Sequence, residues 1–169
     1  MISNESSLWR YFSEEENQLA RDGELLLEDR DSHPNQHLSD YSYLVFPFAK
    51  LYEGFLKQLF LDVHVISERD YRSDHFRIGR VLSPNLIRRL GRSPNGTPRS
   101  AYAQLDTRYG EGLAADLWNA WKKARNLVFH YYPHNYRALS LDQAKELVRL
   151  IIRTMEGAIE KTSGSRAKS

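Results

Sequence analysis

Arg125, Asn126 and His130 are the residues in this chain whose types and spacing could do chemistry. An imidazole exchanges a proton near neutral pH, so it can serve as acid and as base. A guanidinium can hold the oxygens of a phosphate as charge builds on them. A side-chain amide can fix a histidine tautomer or the local backbone. Driving a ribose 2′-hydroxyl at the adjacent phosphate, with no metal, needs such a set. Asn126 and His130 are four apart and share a face if the stretch is α-helical. The same spacing also fits a solvated polar face that does nothing more.

The element that must carry them begins at Leu113. Advancing about 100° per residue puts Leu113, Leu117, Ala120, Trp121, Ala124 and Val128 on one side, a core stripe. Asn126 and His130 point nearly opposite, with Arg125 on the flank. This predicts one long helix, flanked at its start by Gly110 and Gly112 and ended by Pro133. Trp118 and Phe129 fall outside the stripe. Either other helices of the chain cover them, or a second copy does.

Lys122 and Lys123 precede the motif by one turn and can track phosphates, or simply be solvated. Tyr131, Tyr132, His134, Tyr136 and Arg137 crowd the following loop. Aromatic and basic residues side by side suit base stacking on single-stranded nucleic acid, and equally suit a loop packed on the end of the fold. Arg88, Arg89 and Arg92, with Arg77 and Arg80 upstream, form the densest basic cluster. It reads as an RNA track or as the docking surface of an acidic protein. The pairs His33/His37 and His130/His134 have i, i+4 spacing, but Pro34 and Pro133 interrupt each. With no cysteine and no third ligand nearby, no metal and no cofactor is expected. There is no Gly-x-x-x-x-Gly-Lys phosphate loop and no Gly-x-Ser-x-Gly elbow.

At 169 residues the chain fits one domain, expected over residues 1–161 with a polar tail at 162–169. The formal charge is only +2, so contact with nucleic acid must come from a local cluster rather than a global field. The lack of cysteine suits a reducing cytoplasm. No run approaches a membrane span, and Met1–Arg10 has no signal-peptide core. Met1–Ser7 reads as loose, ahead of Leu8, Trp9, Tyr11 and Phe12 as anchors. Ser13 and Glu16 make a capping box opening a helix to about Glu28.

A second helix opens at Ser39–Asp40, with Leu44, Phe48, Leu51, Tyr52, Phe55 and Leu59 as its apolar face. Pro47 either kinks it or marks its true start. The period is lost from Ser67 to Arg80. Ser83–Gly91 reads as a short helix, 92–99 as a loop, and Ala101–Tyr109 as helical. Ser140–Gln143 caps a last helix with Leu141, Ala144, Leu147, Val148, Ile151, Met155 and Ile159 inward. The fold class is all-α, a single-domain bundle of four to five helices plus short ones.

Arg125-Asn126 followed by three residues and His130 resembles the R-x(4–6)-H signature of the HEPN superfamily, small all-helical domains that include many metal-independent ribonucleases of toxin–antitoxin and phage-defence systems. Closing one long helix with a single helix to follow is also similar. Ala49-x-x-x-Glu53-x-x-Leu56-Lys57-x-Leu59 resembles the earlier HEPN helix, and the Tyr52–Lys57 run looks most like RNase LS-type toxins. The resemblance covers about residues 39–161, and this chain has no room for the additional N-terminal domains of those toxins.

The resemblance implies a metal-independent endoribonuclease with His130 as acid/base, Arg125 as phosphate stabiliser, Asn126 as a positioning residue and Glu53 as an auxiliary. Taken as an ordinary surface acid, Glu53 would instead pair with Lys50 or Lys57. The resemblance further implies an RNA substrate, a homodimer, a cognate antitoxin, and a tyrosine near the motif (Tyr131, Tyr132 or Tyr136) open to covalent silencing. The rival from another class is a non-catalytic helical binding or partner module.

Overall fold

Helices account for all the regular structure of this chain among the described residues. The computed structural model describes residues 2–110, 112–130 and 137–166, with side chains to 163. In chain order the helices are α1 (Ser7–Tyr11), α2 (Glu14–Ser32), α3 (Ser42–Asp62), α4 (Glu68–Tyr71), α5 (Ile78–Val81), α6 (Ile87–Leu90), α7 (Ala101–Tyr109), α8 (Leu113–Trp121) and α9 (Leu141–Arg166). Among the described residues the only bridge outside them is an isolated one between Arg92 and Pro98. The all-α expectation is met, and among the described residues no helix is long and apolar enough to cross a membrane.

α3 is the axis of the bundle, packed by α2 on one side and α9 on another, while α8 packs on α7 and α9. Phe48, Tyr52 and Phe55 of α3 are fully buried, as are Leu117 of α8 and Ile151 and Met155 of α9. Burying side chains of this size is the main term holding such a bundle together. α2 and α3 approach closely at Gly23, where an added Cβ would lie 2.5 Å from the Phe48 ring. The Tyr52 hydroxyl donates to Leu117 O at 2.9 Å, tying α3 to α8. Burial, with the Asp116 charge adding to it, pushes the Tyr52 hydroxyl well above its ordinary value, so it stays a neutral donor.

Several boundaries shift. Ile2 is buried and its N–H donates to Glu24 at 2.8 Å, so the start of the chain is held rather than loose. The Ser13/Glu16 capping box forms, but α2 continues past Glu28 to Ser32. α3 starts at Ser42, after Asp40 rather than at Ser39, and carries Pro47 inside it. Within Ser67–Arg80, where the period fades, the chain forms the one-turn helices α4 and α5. The Ser140/Gln143 box forms at α9. α9 then runs to Arg166, past residue 161 where the tail was expected. Its buried Thr162 donates to Ala158 O at 2.8 Å.

Candidate active site

The site is built where α8 leaves its regular pitch. Leu113, Leu117, Ala120, Trp121 and Ala124 are buried as the stripe requires, and Val128 is half-buried. The long α-helix expected up to Pro133 does not form. Lys122–Asn126 is a wider π turn, closed by Leu127 N–H donating to Lys122 O at 3.0 Å. Leu127 and Val128 then turn, Phe129 bends, and the helix is over before His130. One extra residue per turn offsets the side-chain register, and such turns recur at functional sites. Hydrophobic spacing gives no sign of it.

Arg125 comes off this turn over the Trp121 ring, its guanidinium carbon 5.1 Å from the ring centroid. Its Nη2 donates to Glu53 Oε2 at 3.1 Å. Glu53 therefore pairs across the bundle with Arg125, seventy-two residues away, rather than with Lys50 or Lys57 on its own helix. Both side chains keep about a third of their surface, 37% and 32%, so the pair is braced yet reachable. The last turn of a helix favours a cation, which also suits Arg125 there. The Trp121 indole is also packed closely by α5. An added Cβ on Gly79 of α5 would lie 2.7 Å from Trp121 Nε1, so only glycine fits against that ring.

His130 is exposed, and its Nε2 lies 3.3 Å from Asn126 Oδ1. With Nε2–H as donor, the amide oxygen would favour one tautomer of the ring. The residues pair as i, i+4 spacing predicts, although the backbone joining them is not a regular helix.

Beside the motif, Lys122 and Lys123 are exposed. Lys123 and Arg137 flank a shallow, mostly apolar groove with Leu127, Val128 and Leu147. Arg88 and Arg89 are exposed on α6, apart from the motif helix. Tyr132 and His134, expected to bind RNA, and the Tyr131 and Tyr136 candidates lie outside the described residues. Trp118 is half-buried and packed on the core, so its own chain covers much of it. Phe129 is different. It remains 37% exposed and meets Phe46 of α3 edge-on at 5.7 Å, with Phe46 itself 56% exposed.

Phe46 was missing from the sequence reading, and its signal was there. It is a large aromatic two residues off the Leu44–Phe48 stripe, beyond what α3 needs for its core. Among the described residues, no three His, Asp or Glu side chains gather as a metal-holding group. His33 instead closes the end of α2 through Asp29. Comparison with known proteins gives no match: no family model, no curated protein and no solved structure is similar to this chain.

Proposed function

We propose that this chain is a metal-independent endoribonuclease of HEPN type, acting in the cytoplasm within a toxin–antitoxin or phage-defence system. The observation that carries the reading is the pairing of Glu53 with Arg125 beside the pairing of Asn126 with His130. A guanidinium and an imidazole thus sit one turn apart, each oriented by a partner and each open to solvent. In this mechanism the imidazole of His130 accepts the 2′-hydroxyl proton as the 2′-oxygen attacks the adjacent phosphorus. The bond to the 5′-oxygen breaks, and that oxygen takes a proton from imidazolium. The products are a 2′,3′-cyclic phosphate and a free 5′-hydroxyl. Arg125 holds the non-bridging oxygens as their charge rises. Asn126 fixes the imidazole, and Glu53 fixes the guanidinium.

The exposed Phe46–Phe129 pair beside this site supports a homodimer that buries it. A two-fold axis there would bring a second Arg125 and His130 to the same phosphate. A cognate antitoxin, implied by the same resemblance, completes the reading.

The test is purified protein with labelled RNA in excess EDTA. Cleavage leaving 2′,3′-cyclic phosphate ends is expected, and His130→Ala should abolish it with an unchanged thermal melt, because His130 is exposed. Ends carrying a 5′-phosphate would mean water attack and a different mechanism. No cleavage of any RNA would leave the non-catalytic binding module as the better reading.

A further inference from the structure

A second cleft, of about 680 Å³, opens away from the Arg/His motif, between the end of α3, the α4–α5 segment and α7. His75, Arg77 and Arg80 line it from the α5 side, and Arg99, Gln104 and Arg108 from the α7 side. Among the described residues the one carboxylate lining it is Asp70. That group is taken up in capping α4, accepting from Ser67 N at 3.2 Å and Ser67 Oγ at 2.6 Å.

Some of the arginines build the cleft. Arg108 donates to the Val63 carbonyl and, at 3.2 Å, to Gln104 Oε1. Gln104, 7% exposed, donates to Pro98 O at 2.8 Å, which pins the 93–99 turn to α7. Arg77 donates to Asp74 O and Phe76 O at the mouth of α5. Arg80 and Arg99 do none of this. Both are exposed, and among the described residues their backbone N–H groups are taken up, Arg80 by Arg77 O and Arg99 by Gly91 O, while neither guanidinium is seen to pair with a carboxylate or a carbonyl.

The charge is segregated along the chain. Between Asp74 and Asp106 there are six arginines and no aspartate, glutamate or lysine. A stretch of +6 in a chain of +2 leaves −4 for the remainder. Arginines gathered in this way repel one another, and an anion bound among them offsets that repulsion. The choice of arginine throughout matches the planar oxygen geometry of phosphate better than lysine would.

The positive surface also continues past the cleft. Leu90 lines it, and Arg88 and Arg89 are exposed on the same turn, α6. A mononucleotide would fill the cleft and leave those two unused. Gly79, between Arg77 and Arg80, lies against the Trp121 indole that carries Arg125. An element that lines the cleft, α5, therefore also packs on the motif helix.

We infer that this cleft binds the phosphodiester backbone of a single-stranded RNA, with Arg80 and Arg99 as its phosphate contacts and α6 extending the track. The inference rests on the ribonuclease reading for what the bound strand is for, and not for its being bound.

The test is fluorescence anisotropy of a labelled 12-nucleotide single-stranded RNA on the full chain carrying His130→Ala, so that no cleavage intervenes. Adding Arg80→Ala and Arg99→Ala should weaken Kd about tenfold or more. It should also reduce the slope of log K against log salt by about 1.4, two phosphate contacts at roughly 0.7 each. Arg149→Ala with Arg153→Ala removes the same charge from α9, where both arginines already pair with Glu146, and should change Kd less than threefold. Equal weakening by both double variants would overturn the inference, as would no weakening by the first. Full displacement by adenosine monophosphate at matched phosphate concentration would also overturn it in favour of a small-anion site. Displacement by a poly-glutamate peptide of equal charge would overturn it in favour of a protein partner. If the double variant fails to fold, Arg80→Gln and Arg99→Gln singly must each lower the slope. Binding that meets these criteria in a protein that cleaves nothing would sink the ribonuclease reading alone.

Discussion

At the residue scale the arrangement turns on how Arg125 is held. It rests on an aromatic face, is tethered through one nitrogen to Glu53, and shows a third of its surface to solvent. A lysine in its place would reach Glu53 with a point charge and lose both the stacking and the forked geometry. Arg125→Lys should therefore lower kcat by about 10²–10³ while leaving the melting temperature nearly unchanged, since a part-exposed pair is worth about 1 kcal/mol or less. Near-normal turnover would remove Arg125 from the chemistry. Glu53→Gln keeps the shape and removes the charge that aims the guanidinium. As a positioning residue its loss should lower kcat about tenfold, and adding Arg125→Lys should cost little more, because the two act as a unit. Fully additive losses would place Glu53 in a separate role.

At the element scale, short and irregular pieces set the geometry. α5 is a single turn, yet its Gly79 fixes where the Trp121 ring sits. Gly79→Ala should destabilise by about 1–3 kcal/mol through overpacking against a buried indole. It should also lower cleavage beyond what lost stability explains, because Arg125 moves with the ring. An unchanged melt and unchanged rate would show that the contact relaxes freely.

The start of α3 is stitched to the segment before α9 by Asp40, which accepts from Leu139 N at 3.0 Å and from Ser42 Oγ at 2.6 Å. Partial burial pushes the Asp40 carboxyl up, but the hydrogen bonds from Leu139 and Ser42 outweigh it and the net direction is down. A lowered folded pKa means that its stabilisation is present above the unfolded aspartate value of about 3.9 and is lost as pH falls through the folded one. Urea midpoints should show Asp40→Asn less stable than the parent at about pH 7, the gap closing toward about pH 3. A gap constant with pH would mean that the charge of Asp40 is not what holds the two segments.

At the scale of the whole molecule, the described surface carries an aromatic pair beside the motif and a basic cleft partly built by α5, whose Gly79 packs on the motif helix at Trp121. Phe46 and Phe129 are costly to leave in water beside a site expected to bind a polar strand. Light scattering at micromolar concentration should give a mass near twice the 19.8 kDa of the chain. Phe46→Glu, a change outside the Arg/His set, should shift it toward the monomer and reduce cleavage together. Trp118 is unsuited to this test, since it packs against the core of its own chain. A monomer with full activity would eliminate the shared-cleft arrangement.

Sequence and tertiary structure divided the result along a physical line. Periodic burial is written locally, because a helix must turn one face inward. The stripes of α3, α8 and α9 and the two capping boxes were therefore legible from residue order alone, and so was the all-α class. The pairing of Asn126 with His130 was legible for the same reason, as both lie within one turn. The Glu53–Arg125 pair joins residues seventy-two apart; an acid in so apolar a stretch of α3 made Glu53 stand out and the resemblance implied its role, but no spacing named its partner. The π turn at Lys122–Asn126 was hidden because one extra residue in a turn leaves the apolar pattern before it intact. Gly79 against Trp121, Phe46 against Phe129, and the gathering of Arg80 and Arg99 in one cleft all join segments far apart in sequence. Which distant side chains meet is decided by how the helices pack, and that information is held by the core as a whole rather than by any stretch of it.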